Sequence, residues 1–182
     1  MSHATNNTEA AATSKNLVSR TATDTVAASP ATVWQILSDD FLEISTWAGG
    51  VRSSKANPAT PTGFNGSRHG GRVCDVDGIG ITDERIVAFD PSQRTLTYTV
   101  SAKKIPFFVE SMTSSWSVLP GADDSHASVS LTVTATTKGL FGRVGKIPLT
   151  KMISGAAPGL LADLKTWAET PDRTTLSGSA AS

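Results

Sequence analysis

The most regular stretch of the chain runs from Ala127 to Thr137, where Val129, Leu131 and Val133 alternate with Ser128, Ser130, Thr132 and Thr134. Alternation places successive side chains on opposite faces, so this segment predicts a strand with one apolar face and one hydroxyl face. Looser forms of the same pattern cover residues 17–27, 51–56, 68–76, 79–90, 94–102 and 107–119. Turn-forming residues separate them: Pro58, Pro61, Gly63 and Gly66, then Asp77-Gly78, Asp90-Pro91-Ser92-Gln93 and Pro120-Gly121-Ala122-Asp123-Asp124.

Two segments change period. Ser29 followed by Pro30 forms a helix start, a side-chain cap followed by a residue whose missing N–H costs nothing in the first turn. Val33, Trp34, Ile36 and Leu37 supply its apolar face, and Phe41, Leu42, Ile44 and Trp47 continue as a second short helical stretch that Gly49-Gly50 ends. Near the other end, Leu149, Ile153, Ala156, Leu160, Leu164 and Trp167 recur at spacings of three and four, the stripe of a long helix ending near Glu169. Pro158 lies inside that stripe between Gly155 and Gly159, and it predicts a kink or break near Gly155. The stripe needs an apolar partner, and one face of the antiparallel sheet is the partner on offer.

Composition narrows the functional classes. Sixteen basic and sixteen acidic residues cancel, which removes the electrostatic case for nucleic acid as a partner. No apolar run reaches membrane-spanning length. Cys74 is the single cysteine, which excludes an internal disulfide, and with three histidines beside it no zinc-type cluster and no cofactor is expected. His69 is the one histidine placed near the sheet. Gly78-Ile79-Gly80 has Asp83 where a dinucleotide loop needs its third glycine, and Gly145-Lys146 is followed by Ile147, so neither phosphate-binding motif is present. Residues 1–16 and 171–182 are polar and lack periodicity, so they read as disordered tails around one domain at 17–170. The N-terminus lacks the basic-then-apolar order of a secretory signal, and the expected location is cytoplasmic. Oligomeric state is left open.

The order of elements and five quoted pieces resemble a known group: SPATVWQILSD at 29–39 with Trp47 shortly after, GGRVC at 70–74, DERIVAFDP at 83–91, RTLTYTV at 94–100 and DLKTWAE at 163–169. They resemble the START-like (SRPBCC) superfamily, in its polyketide cyclase/dehydrase and lipid-transport branch. That resemblance implies an α+β helix-grip fold: a curved antiparallel sheet of about seven strands around a long C-terminal helix, with two short helices after the first strand closing the open end. It also implies an internal cavity between sheet and helix. Members of the superfamily include cyclases, lipid carriers and hormone receptors, so the fold is a container whose use is set by its site.

Two functions follow from that container. One is binding or carriage of a hydrophobic small molecule, a lipid, polyketide or similar. The other is a polyketide cyclase or aromatase that works through cavity-facing acid/base residues. An interaction module with a nearly collapsed cavity is a third possibility. Alternation puts Thr82, Glu84, Ile86 and Ala88 on one face of their strand and Asp83, Arg85, Val87 and Phe89 on the other. The resemblance to hormone receptors implies that Glu84 points inward and Arg85 outward. Glu84 then acts as an acid/base group or pairs with Arg72 on the neighbouring strand. Tyr98 is the second catalytic candidate. Phe108, Glu110, Met112 and Trp116 fall on one face of a later strand and form an apolar wall with a few polar groups, as ligand pockets have. Arg52 stands where the receptors carry a basic partner for a ligand carboxylate, with a solvated surface arginine as the alternative. Trp34, Trp47, Arg72, Ile86, Ile153 and Leu160 complete the candidate ligand-binding set. Lys103-Lys104 beside Pro106-Phe107-Phe108 forms either a lipid-touching mouth or a solvated turn.

Overall fold

The computed structural model describes residues 17–138 and 155–170. After β1 (Leu17–Val26) come α1 (Pro30–Ser38) and a 3₁₀ helix (Phe41–Thr46), then β2 (Val51–Ala56), β3 (Gly71–Val76), β4 (Gly80–Asp90), β5 (Thr95–Ala102), β6 (Val109–Pro120), β7 (Ala127–Thr137) and α2 (Ala156–Ala168). The strands form one seven-stranded sheet in the order β1-β7-β6-β5-β4-β3-β2, antiparallel throughout. Each neighbour in sequence is a neighbour in space except β1, which returns to pair with β7.

β7 shows why the alternating residues form a sheet with one dry face. Ala127, Val129, Leu131 and Ala135 are fully buried beneath the helices. The opposite face carries hydroxyls that satisfy one another across the β1–β7 pair, with Thr21 Oγ1 2.8 Å from Thr132 Oγ1 and Thr23 Oγ1 2.9 Å from Ser130 Oγ. These cross-strand contacts stabilise the pairing on its solvent side without asking for a second core.

α1 starts as its sequence dictates. Ser29 is extended, its hydroxyl accepts the Thr32 N–H at 3.1 Å, and Pro30 occupies the first turn. Val33, Ile36 and Leu37 face inward, and α1 lies against β6 and β7. The 3₁₀ helix buries Phe41 and Ile44 and packs beside β2.

Three local readings change. β4 carries a bulge between Ile86 and Ala88, so Val87 and Ala88 are both exposed and Phe89, expected outside, is buried. One extra residue inverts every side chain beyond it. β6 likewise has a register shift between Val109 and Ser111, which leaves Glu110 and Ser111 exposed before the alternation resumes at Met112. β3 begins at Gly71 rather than at residue 68. A Cβ on Gly71 would lie 2.2 Å from the Glu84 carbonyl oxygen, so the strand opens where only glycine fits.

α2 is rotated from the predicted stripe. Its buried residues are Ala157, Leu161, Leu164 and Ala168, whereas Ala156 is exposed and Leu160 and Trp167 are half-buried. The predicted stripe followed bulk, but close approach to β1 and β7 favours the two alanines. Gly155 is the N-cap of α2, and Pro158 sits in its first turn, where its missing N–H costs little. Leu149 and Ile153 lie outside the described residues. Two polar ties hold α2 to β1: Lys165 Nζ is 3.1 Å from Asp24 Oδ1, and the Ala27 N–H donates to Glu169 Oε1 at 2.8 Å.

Candidate functional site

Between the concave face of the sheet, the 3₁₀ helix and α2 lies a cavity of about 370 Å³. Its wall is mostly apolar, with Ile44, Val51, Val100, Met112, Val133 and Leu160 among the contributors. Polar groups gather on β3, β4, β5 and β6, where Arg72, Thr82, Glu84, Tyr98 and Ser114 all reach the same space.

The register explains this gathering. Arg72 pairs with Glu84 across β3–β4, and Tyr98 pairs with Ile86 on one side and Ser114 on the other, so five inward-facing positions on four adjacent strands meet. Arg72 and Glu84 are only 3% and 6% exposed, and Arg72 Nε donates to Glu84 Oε2 at 2.8 Å. Arg72 Nη1 donates to the Phe41 carbonyl at 2.6 Å, while the guanidinium lies over the Phe41 ring at 4.0 Å and within 5.1 Å of the Tyr98 ring. Burial is the largest single influence and works against the arginine charge, but Glu84 together with the smaller contributions of Tyr98 and Cys74 outweighs it and holds the Arg72 pKa above its ordinary value. Glu84 therefore lines the cavity and pairs with Arg72 at the same time. Its second oxygen, Oε1, accepts from the Thr82 hydroxyl at 3.3 Å.

Tyr98 is buried, and burial pushes its phenol above the usual range, countered in part by Arg72. The phenol thus keeps its proton near neutrality, so Tyr98 can donate a hydrogen bond but is poorly suited to act as a base. Burial also raises the Cys74 thiol, which leaves it neutral and unreactive behind the same wall. His69 does not line the cavity, and burial followed by the Arg68 charge lowers its pKa.

Of the predicted residues, Glu84, Tyr98, Arg72, Met112 and Leu160 come together at the cavity. Trp47 and Trp116 line instead a separate void of about 10 Å³ beneath Arg72 and Tyr98. There the Trp47 indole Nε1 is buried without a hydrogen-bond partner among the described residues. Trp34 is half-buried and stacks on Phe89 with ring centroids 5.4 Å apart, and Ile86 belongs to the packed core. Phe108 precedes β6 and packs against the core, whereas Glu110 is exposed by the β6 bulge. Arg52 is 60% exposed and pairs with Asp75 at 3.1 Å and Asp77 at 3.2 Å, so it sits on the surface rather than in the cavity. Ile153 lies outside the described residues.

Thr82 and Ser114 complete the polar patch, and alternation already places them beside Glu84 and Met112. Val133 was equally accessible from the β7 pattern. Asp77 and Asp163 at the mouth were not, because their positions depend on the β3–β4 turn and on the rotation of α2. Asp163 accepts the Gly49 N–H at 2.9 Å and ties the end of the short helices to α2.

A second hollow, of about 470 Å³, opens on the sheet where β5 and β6 diverge beyond the Thr99–Thr113 pair. Glu110 and the 83%-exposed Phe107 border it, and it shares Val100 and Met112 with the main cavity. Among the described residues no helix is long and apolar enough to cross a membrane.

Solved structures similar to this chain include an aromatase/cyclase from a Streptomyces species, 18% identical with a TM-score of 0.64 over 84% of this chain and 94% of that one. A START superfamily protein from Mycobacterium smegmatis is 18% identical with a TM-score of 0.62, covering 84% and 97%. A norcoclaurine synthase from Thalictrum is 12% identical with a TM-score of 0.64, covering 84% and 94%. At these identities the likeness establishes the helix-grip fold and no more. No curated protein matches the chain in sequence. The family model for polyketide cyclase/dehydrase and lipid transport matches residues 18–169, nearly the whole of the gripped helix, sheet and cavity, and the chain belongs to that family.

Proposed function

We propose that this protein binds and carries an apolar small molecule in the cavity between its sheet and α2. The observation that carries the reading is the cavity itself: about 370 Å³, largely apolar, with a handful of convergent polar groups. That volume falls within the roughly 300–1,000 Å³ of ordinary small-molecule sites, and it argues against a collapsed interaction module. Removal of apolar ligand surface from water would drive binding, and the few polar groups would orient the molecule. The test is native mass spectrometry of gently purified protein. A co-purified small molecule, or uptake of one added neutral apolar compound at one per chain, is the expected result. A protein that stays ligand-free with every apolar compound offered overturns the proposal.

A second reading, cyclisation of a flexible poly-ketone, has a specific observation in its favour. Glu84 and Tyr98 open onto the same cavity and could hold or move a proton there, while confinement brings reacting carbons together. The carrier reading is preferred because Glu84 is already committed to Arg72 at 2.8 Å. Incubation with a poly-ketone thioester separates the two. Cyclised product that disappears in Glu84→Gln while the substrate still binds would establish catalysis, and no product above the uncatalysed background would exclude it.

A further inference from the structure

We infer that the Arg72–Glu84 pair makes the cavity selective by charge: it admits an apolar molecule bearing a neutral hydrogen-bond donor, an alcohol or phenol, and rejects the corresponding carboxylate. The inference rests on the carrier reading above and specifies the head group of its ligand.

The charge inventory points this way. Among the described residues lining the cavity, Arg72 is the only cation, facing the carboxylates of Glu84, Asp77 and Asp163. Arg72 is engaged within the protein: Nε holds Glu84 Oε2 at 2.8 Å, Nη1 holds the Phe41 carbonyl at 2.6 Å, and the Phe41 ring covers one face at 4.0 Å. Arg52, the other basic candidate, is occupied by Asp75 and Asp77 on the surface. An entering carboxylate would pass Asp163 and Asp77, the latter already paired with Arg52, and stop beside Glu84, with the one lining cation already paired. It would lose its hydration without gaining a counter-ion, the costliest way to bury a charge.

The hydrogen-bonding inventory selects the alternative. Glu84 lines the cavity, and its Oε1 receives only the 3.3 Å contact from Thr82 among the described residues, so the carboxylate retains acceptor capacity in a largely apolar wall. A ligand O–H directed at that oxygen forms a charge-assisted bond, the stronger kind. Ser114 and Tyr98 lie on the adjoining strands and can accept from or donate to the same hydroxyl.

The test uses the full-length protein loaded with the neutral fluorophore N-phenyl-1-naphthylamine, displaced at pH 7.5 by 1-decanol or by decanoate. The cavity volume equals roughly a dozen water-sized volumes of about 30 Å³, which suits a ten-carbon chain. Decanol should displace the probe at a concentration at least about tenfold lower than decanoate. Equal potency, or a preference for decanoate, overturns the inference and leaves the carrier reading standing. If the fluorophore and both chains all fail to enter, the carrier reading falls and takes the inference with it. Glu84→Gln supplies the second arm: with Arg72 released, the preference should narrow at least fivefold or invert, and an unchanged ratio shows that the pair is not the discriminator. The wild-type ratio decides the matter even if that variant fails to fold.

Discussion

Replacing Glu84 by Gln should destabilise the protein by about 3 kcal/mol, the lower end of the range for stranding one partner of a buried ion pair. The size follows from what the variant keeps. Arg72 and Glu84 are 3% and 6% exposed and joined at 2.8 Å, so removing the carboxylate leaves a buried positive charge. The glutamine amide oxygen can still accept from Arg72 Nε, and the Phe41 carbonyl at 2.6 Å and the aromatic rings around the guanidinium remain. Those survivors hold the loss near the lower end. For a chain of this size the loss lowers the melting temperature by roughly 6–12 °C. Arginine keeps its proton at any accessible pH, so the loss should be the same from about pH 6 to pH 9. Urea denaturation followed by fluorescence of the four tryptophans measures it directly. The double variant Arg72→Met with Glu84→Gln should then recover most of the loss, to within about 1 kcal/mol of wild type, because no charge is left stranded. A single-variant loss below about 1 kcal/mol would refute the reasoning by showing that the pair is solvated through the cavity. So would a double variant less stable than the single one.

Two further outcomes test the packing of α2 and a surface turn. Ala157→Leu should cost about 1–3 kcal/mol by overpacking the fully buried seam against the sheet, while Ala156→Leu on the exposed side should change stability little; equal losses in urea titrations would show that the helix face is wrongly assigned. Asp123 accepts hydrogen bonds from His126 and Ser125, which hold its carboxyl down at about 2. A depressed carboxylate contributes stability that is complete above its unfolded value and is lost as pH falls through its folded value. Its NMR titration midpoint should therefore lie near 2, and a midpoint close to 4, the ordinary value for aspartate, would refute the turn's hydrogen bonding.

The succession of elements along the chain and the start of α1 were legible because they depend on short-range rules. Ser29-Pro30 sets a helix start wherever it falls, and the β7 alternation of valine and leucine with serine and threonine permits one buried face and no other register. Strand parity put Glu84 on one face with Thr82 and Ile86, but which face is inward came only from the family resemblance, and the register that sets Arg72 opposite Glu84 came from the folded sheet. The sequence alone could not show where parity breaks. The β4 bulge that buries Phe89 and the β6 shift that exposes Glu110 each depend on how one strand fits its neighbours, an extra residue that leaves no mark on local pattern.

The rotation of α2 belongs to the tertiary structure as well. A stripe drawn through Leu160 and Trp167 is the best amphipathic face by size, yet the sheet accepts Ala157 and Ala168, because close approach rewards small side chains. That rotation leaves Leu160 and Asp163 at the cavity. The chain by itself determined that an amphipathic helix would need one face of an antiparallel sheet, and it offered Glu84 and Arg72 as a possible pair on neighbouring strands. The packed fold decided how much space remains around them and that the arginine is held by its neighbours, because volume and charge compensation are properties of several strands at once.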